Sequence, residues 1–184
     1  MHMHASFEST VVGALSAVSQ ESALFPRQGN QPLAHKAAEG VPWRKQVISL
    51  LKDSLIKELL CVVRYNHLSA DTCMQPLLSA EFLLHAHEEL AHAYRLAHHI
   101  VELGGELEYS PRLLMRMGRA THDHHKDLTS MISANLSSQC RIIFRYNEIM
   151  SQIDMQDVAT RHMLEGIVKE EREHAEELMS WLVN

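Results

Sequence analysis

The same pair of motifs occurs twice in this chain, in the same order, and that repeat restricts the fold more than any other feature of the sequence. Glu58-Leu-Leu-Cys-Val-Val-Arg64-Tyr65-Asn66 is echoed by Gln139-Cys-Arg-Ile-Ile-Phe-Arg145-Tyr146-Asn147, with Arg-Tyr-Asn at the same offset. Glu89-Leu-Ala-His92-Ala93 is echoed by Glu171-Arg-Glu-His174-Ala175, both of the form Glu-x-x-His-Ala. Residues three apart on a helix project from one face, so each Glu-x-x-His presents a carboxylate and an imidazole together. A single such motif is ordinarily a surface pair. Two of them, on different helices of one bundle and joined by an inward Glu58, describe a metal site, because burying those charges without a cation is costly.

The periodicity of the flanking sequence supplies the helices. Val47, Ile48, Leu51, Leu55, Leu59, Val62 and Val63 recur at three and four, predicting helix A from Trp43 to about Ala70. Helix B runs from Pro76 to the Gly104-Gly105 stop. Glu106 to about Thr121, with Pro111 and Gly118, reads as a long connection. Helix C follows from about Asp123 to Met150, a brief turn comes around Ile153, and helix D spans about Gln156 to Trp181. Residues 1–42, with Pro26, Pro32, Pro42, Gly29 and Gly40, read as an N-terminal appendage, and 43–184 as one bundle domain. With only 7 Gly and 5 Pro, the composition agrees with an all-α class.

The net charge of −6 argues against nucleic acid as a partner. No apolar run approaches the roughly 20 residues of a membrane span, and MHMHASFEST lacks the layout of a secretory signal, so a soluble, cytoplasmic protein is expected. Cys61, Cys73 and Cys140, odd in number and without CxxC spacing, read as reduced packing residues. Among the 14 His, His85, His92 and His99 recur every seven residues on helix B. Packing or interface roles are assigned to His85 and His99, although an extension of the metal site is the alternative. His122, His124 and His125 read as solvated loop residues, and Glu88 and Glu170 as solvent-facing.

The paired motifs and their order resemble the ferritin-like superfamily, nearest the bacterioferritin branch, over about Trp43 to Trp181. The resemblance implies an up-down four-helix bundle with a long B–C crossover. It implies Glu58 as a terminal ligand, Glu89 and Glu171 as bridges, and His92 and His174 as one ligand to each of two metal ions. Tyr65 matches a family tyrosine near the site that orients a ligand or supplies an electron, and Tyr146 holds the equivalent offset in the second half. Gln139 stands where the family usually has a fourth Glu. The implied cofactor is two Fe ions, with an Fe/Mn pair or a single metal as alternatives because of Gln139.

Haem-binding bacterioferritins place a methionine directly after the helix B glutamate; Leu90 occupies that position, so haem is not expected by that route. Ten residues follow His174, too few for the fifth helix of 24-subunit cages, so a homo-oligomer that is a dimer or small assembly is expected. The implied function is ferroxidase: oxidation of Fe(II) by dioxygen or peroxide in iron homeostasis or oxidative protection. The alternatives are a non-catalytic or single-metal-binding module, and a di-iron oxygenase acting on an organic substrate.

Overall fold

The computed structural model describes residues 41–107, 127–153 and 157–183, and these contain four helices and no strand. The helices are α1 (Val41–Asp71), α2 (Pro76–Glu102), α3 (Leu128–Gln152) and α4 (Val158–Val183), in the places expected for helices A to D. The described residues form two compact units, α1 with α2 and α3 with α4. No described helix is long and apolar enough to cross a membrane.

In the first unit the contacting pairs Ser69–Ser79, Tyr65–His85 and Glu58–His92 advance along one helix as they retreat along the other, so α1 and α2 are antiparallel. The turn is short because Thr72 keeps its backbone N–H and its hydroxyl on the Leu68 carbonyl, at 3.0 and 2.7 Å, while Pro76 opens α2 where no helical N–H is needed. Ser69 and Ser79 then stitch the two helices reciprocally, each hydroxyl donating to the other's carbonyl at 2.9 and 2.8 Å. Leu51, Leu55, Leu59, Val62 and Leu68 from α1, with Leu78, Phe82, Leu96 and Ile100 from α2, are buried. Each such side chain contributes roughly 1.5–3 kcal/mol when fully removed from water.

Helix α2 ends in a Schellman motif: Gly105 N–H donates to Ile100 O at 2.8 Å and Gly104 N–H to Val101 O at 2.9 Å. The motif needs a left-handed residue, supplied by Gly104 at φ +81°. Gly105 is required for a different reason. A Cβ there would lie 2.8 Å from the γ-methyls of both Ile100 and Ile48, so the chain passes too close to α1 for any side chain.

In the second unit Asp127 caps α3, accepting from Ser130 N–H at 2.8 Å and Ser130 hydroxyl at 2.9 Å. Asp157 caps α4 through Thr160 N–H at 3.2 Å. Arg161 donates to the carbonyls of Met150 and Ile153 at 3.0 and 3.4 Å, placing a cation at the C-terminal end of α3.

Three sequence expectations change. Helix A begins at Val41, two residues earlier than expected, because Pro42 fits a first helical turn instead of ending the appendage; residues 1–40, with His2 and His4, lie outside the described residues. The described part of helix C starts after the Asp127 cap, while 108–126, which include His122, His124 and His125, lie outside. Cys61 is buried as a packing residue, but Cys73 and Cys140 are exposed, the first in the α1–α2 turn and the second one position around α3 from the inward Gln139.

Gly105→Ala is expected to lower the unfolding free energy by about 1–3 kcal/mol through overpacking, and Gly104→Ala by about 1–2 kcal/mol through the left-handed backbone. Urea unfolding followed by circular dichroism checks both.

Candidate metal centre

Each helical pair carries its own set of three polar side chains. On the first, Glu58 of α1 and Glu89 and His92 of α2 are all fully buried. His92 Nδ1 lies 3.7 Å from Glu58 Oε2 and 3.5 Å from Glu89 Oε2, and one donor atom from each of the three falls within 4.8 Å of the others. On the second, Gln139 of α3 and Glu171 and His174 of α4 are buried to the same degree. His174 Nδ1 lies 3.6 Å from Glu171 Oε2 and 3.4 Å from Gln139 Nε2. The imidazole of each Glu-x-x-His therefore turns the same ring nitrogen toward its own carboxylate.

The local sequence produces this directly. In α2, Phe82, Ala86, Ala93, Leu96 and Ile100 share the buried side with Glu89 and His92. In α4, Leu164, Ile167, Val168, Ala175 and Leu178 do the same for Glu171 and His174. The apolar positions bury those faces, and the polar residues go with them. Both motifs place Ala directly after His, and Ala93 and Ala175 are both buried.

The electrostatic consequence is clearest at Glu58. Burial, and then the negative charge of Glu89 beside it, push its carboxyl up from 4.5 to about 8, with His92 acting in the opposite direction. In the metal-free protein the Glu58 carboxyl therefore keeps its proton at neutral pH, beside Glu89. The donor set fits a divalent cation: buried carboxylate oxygens and imidazole nitrogens, with no thiolate among them, suit Fe(II), Mn(II) or Zn(II). A cation placed there displaces the proton and neutralises the repulsion that raises the pKa.

All six expected ligand positions are buried, three within each helical pair. Tyr65 and Tyr146 are also buried, and Tyr65 sits edge-on to His85 with ring centroids 5.1 Å apart. His85 and His99 are buried, in keeping with packing roles. Glu88 and Glu170 are half-buried instead of solvent-facing, because each lies about one helical turn after a buried residue, His85 and Ile167 respectively.

Asn135 escaped the sequence reading. It lies one turn before Gln139, is buried and gives its amide N–H to Met131 O at 2.9 Å. That donation fixes the amide orientation and leaves Oδ1 buried without a hydrogen-bond partner among the described residues. The signal was available: Asn135 and Gln139 are spaced by four, the period that places Glu58 over Ser54, another buried polar residue bonded to its own helix, at Leu50 O.

The family model of the ferritin-like domain matches residues 48–184, which contain all six positions and both motif repeats. The chain belongs to the ferritin-like family. Its fold is that family's four-helix bundle, and it resembles the bacterioferritin branch. Among solved structures, this ferritin-like chain is similar to the dodecameric thioferritin, a bacterioferritin-related protein, of Bacteroides fragilis. The two share 30% identity over 76% of this chain and 86% of that one, with a TM-score of 0.66. It also resembles the fold of the Desulfovibrio desulfuricans bacterioferritin, described with a di-iron site in different catalytic states. There the identity is 21%, the coverage 76% and 80%, and the TM-score 0.67. No curated protein matches the sequence.

The raised pKa of Glu58 sets a pH dependence for the metal-free protein. Below about 4.5 the carboxyl is protonated in both folded and unfolded chains; between about 4.5 and 8 only the unfolded chain releases the proton, so stability falls as pH rises through that window and levels off above it. Glu58→Gln is expected to flatten this part of the decline and to make the metal-free protein more stable at pH 8 than the parent. Thermal unfolding in chelator across the pH range measures it.

Proposed function

We propose that this chain handles iron, binding Fe(II) as substrate and oxidising it with dioxygen or peroxide at a di-iron carboxylate site. The observation that carries the reading is the duplicated buried set: Glu58, Glu89 and His92 on one pair, Gln139, Glu171 and His174 on the other. In this reading Glu58, Glu89, His92, Gln139, Glu171 and His174 would hold the ions, the carboxylates supplying negative charge and the imidazoles neutral nitrogen donors. Two Fe(II) supply two electrons, which with two protons take dioxygen to hydrogen peroxide, or peroxide to water. The protein's part is to hold the ions apart from bulk water and to manage protons. Glu58 holds a proton until a cation displaces it, and the buried Tyr65 and Tyr146 stand as positioning or electron-donating residues.

Further parts of the reading are a cytoplasmic protein and a homo-oligomer. The Bacteroides fragilis relative is a dodecamer, so the proposed assembly reaches from a dimer to that size. Haem has no part in it, with Leu90 after Glu89.

Gln139 favours a second reading. Its amide nitrogen, not its oxygen, faces His174 Nδ1 at 3.4 Å, and an amide is in any case a weaker donor to a cation than the carboxylate at Glu58. A metal position served by Gln139 and His174 is then weak, and the protein holds one metal tightly without turnover.

Anaerobic Fe(II) loading followed by air, with an oxygen electrode and near-ultraviolet absorbance, separates the two readings. Ferroxidase activity predicts oxygen uptake in proportion to Fe(II) and a growing ferric absorbance. Because changes around metal ligands already cost about 10–100-fold, Glu89→Ala is expected to slow oxidation by at least that much. Oxidation no faster than in buffer, with one metal or none bound, leaves the binding module. Gln139→Glu restores the fourth carboxylate and is expected to tighten the second equivalent in the same titration about tenfold or more, a gain of ~1.4 kcal/mol. An unchanged second equivalent contradicts the role given to Gln139.

A further inference from the structure

Helix α2 carries more ligand chemistry than the Glu-x-x-His motif uses. At about 100° per residue, Glu81, His85, Glu89 and His92 fall within an arc of roughly 80° on one side of the helix. The stripe runs from the half-buried Glu81 to the fully buried Glu89 and His92. His85 Nε2 lies 3.7 Å from Glu81 Oε1; the imidazole side chain is fully buried and the carboxylate side chain 26% exposed.

We propose that Glu81 and His85 form a second, outer divalent-cation site on α2, on the side of Glu89 nearer the α1–α2 turn.

Four observations support it. The separation of 3.7 Å exceeds an ordinary hydrogen bond, yet it is close to the spacing of two donors that each lie about 2.0–2.2 Å from one ion. The imidazole is held in place before any ion arrives, by the Tyr65 ring edge-on at 5.1 Å and by Phe82 behind Tyr65 at 6.0 Å. The site is also separate from the Glu-x-x-His centre: donor atoms of Glu58, Glu89 and His92 gather within 4.8 Å of one another, and Glu81 and His85 form a different group that includes none of these three. Partial exposure of Glu81 gives the outer site access to solvent that the inner carboxylates lack. Imidazole nitrogen with one carboxylate suits borderline divalent ions such as Zn(II), Fe(II) and Mn(II), and two protein donors make the outer site the weaker one.

The inference stands on the geometry of α1 and α2 and does not require that the inner centre turn over. Its test is a calorimetric titration of the full-length, metal-free chain with Zn(II), comparing the parent with Glu81→Gln and His85→Gln. The parent is expected to show a tight phase and a phase at least tenfold weaker, and each variant to lose about one equivalent per chain from the weak phase while the tight phase persists. Glu81→Gln, at a half-buried side chain, keeps the test decisive if His85→Gln fails to fold. If the two residues form only a structural ion pair, Glu81→Gln lowers the melting temperature but titrates with the same weak equivalents as the parent, and the inference is overturned. A parent with a tight phase and no weaker one overturns it as well while leaving the inner centre standing. A parent that binds no Zn(II) at all removes both.

Discussion

The structure depends on one unfavourable arrangement, the placing of carboxylates in a helix core beside one another and out of water. Glu58 and Glu89 come from facing helices whose inward residues are mostly apolar, among them Leu55, Leu59, Val62, Phe82, Leu96 and Ile100. Burial, and then the charge of Glu89, move the Glu58 carboxyl up to about 8, with the His92 imidazole acting against them. A chain that needed only a stable bundle would gain from leucine at these positions. The retained cost is what the proposed metal centre accounts for. The second helical pair repeats the arrangement with one carboxylate fewer, and so with less repulsion to relieve and less attraction for a cation.

The scaffolding holds that arrangement by ordinary means. A stitched two-helix turn, a Schellman stop with an obligatory close approach at Gly105, and aspartate caps on α3 and α4 fix where each helix begins and ends. Each helix then fixes the register of its polar residues. Because Glu and His three apart share a helix face, one correctly placed helix delivers both donors at once. The Ser69–Ser79 tie lies on the same hairpin as the Glu58–His92 pair, so slippage between α1 and α2 is opposed at one end and would be felt at the other.

Much of this was legible in the sequence because it is periodic or duplicated. The four helices follow from apolar spacing, and the six polar positions follow from the repeat, with all six found buried. What escaped was set by position around a helix or by a partner in space. Cys140 adjoins the buried Gln139 in sequence, but a step of ~100° carries it to the exposed side. Pro42 reads as a breaker until its place in the first turn of α1 is seen. Asn135 looks like any polar residue on a helix until its amide is found bonded to Met131 O with the oxygen left inside. Glu81 has no motif to announce it, and only its distance to His85 singles it out. Membership of the ferritin-like family, shown by the match over residues 48–184, agrees with the fold expected from the repeat.

The central claim is that the duplicated sets are metal ligands. Anomalous diffraction at the iron edge from anaerobically Fe(II)-soaked crystals addresses it most directly. The account predicts two peaks, the stronger beside Glu58, Glu89 and His92 and the weaker beside Gln139, Glu171 and His174. Iron found elsewhere with these six side chains unliganded would contradict it.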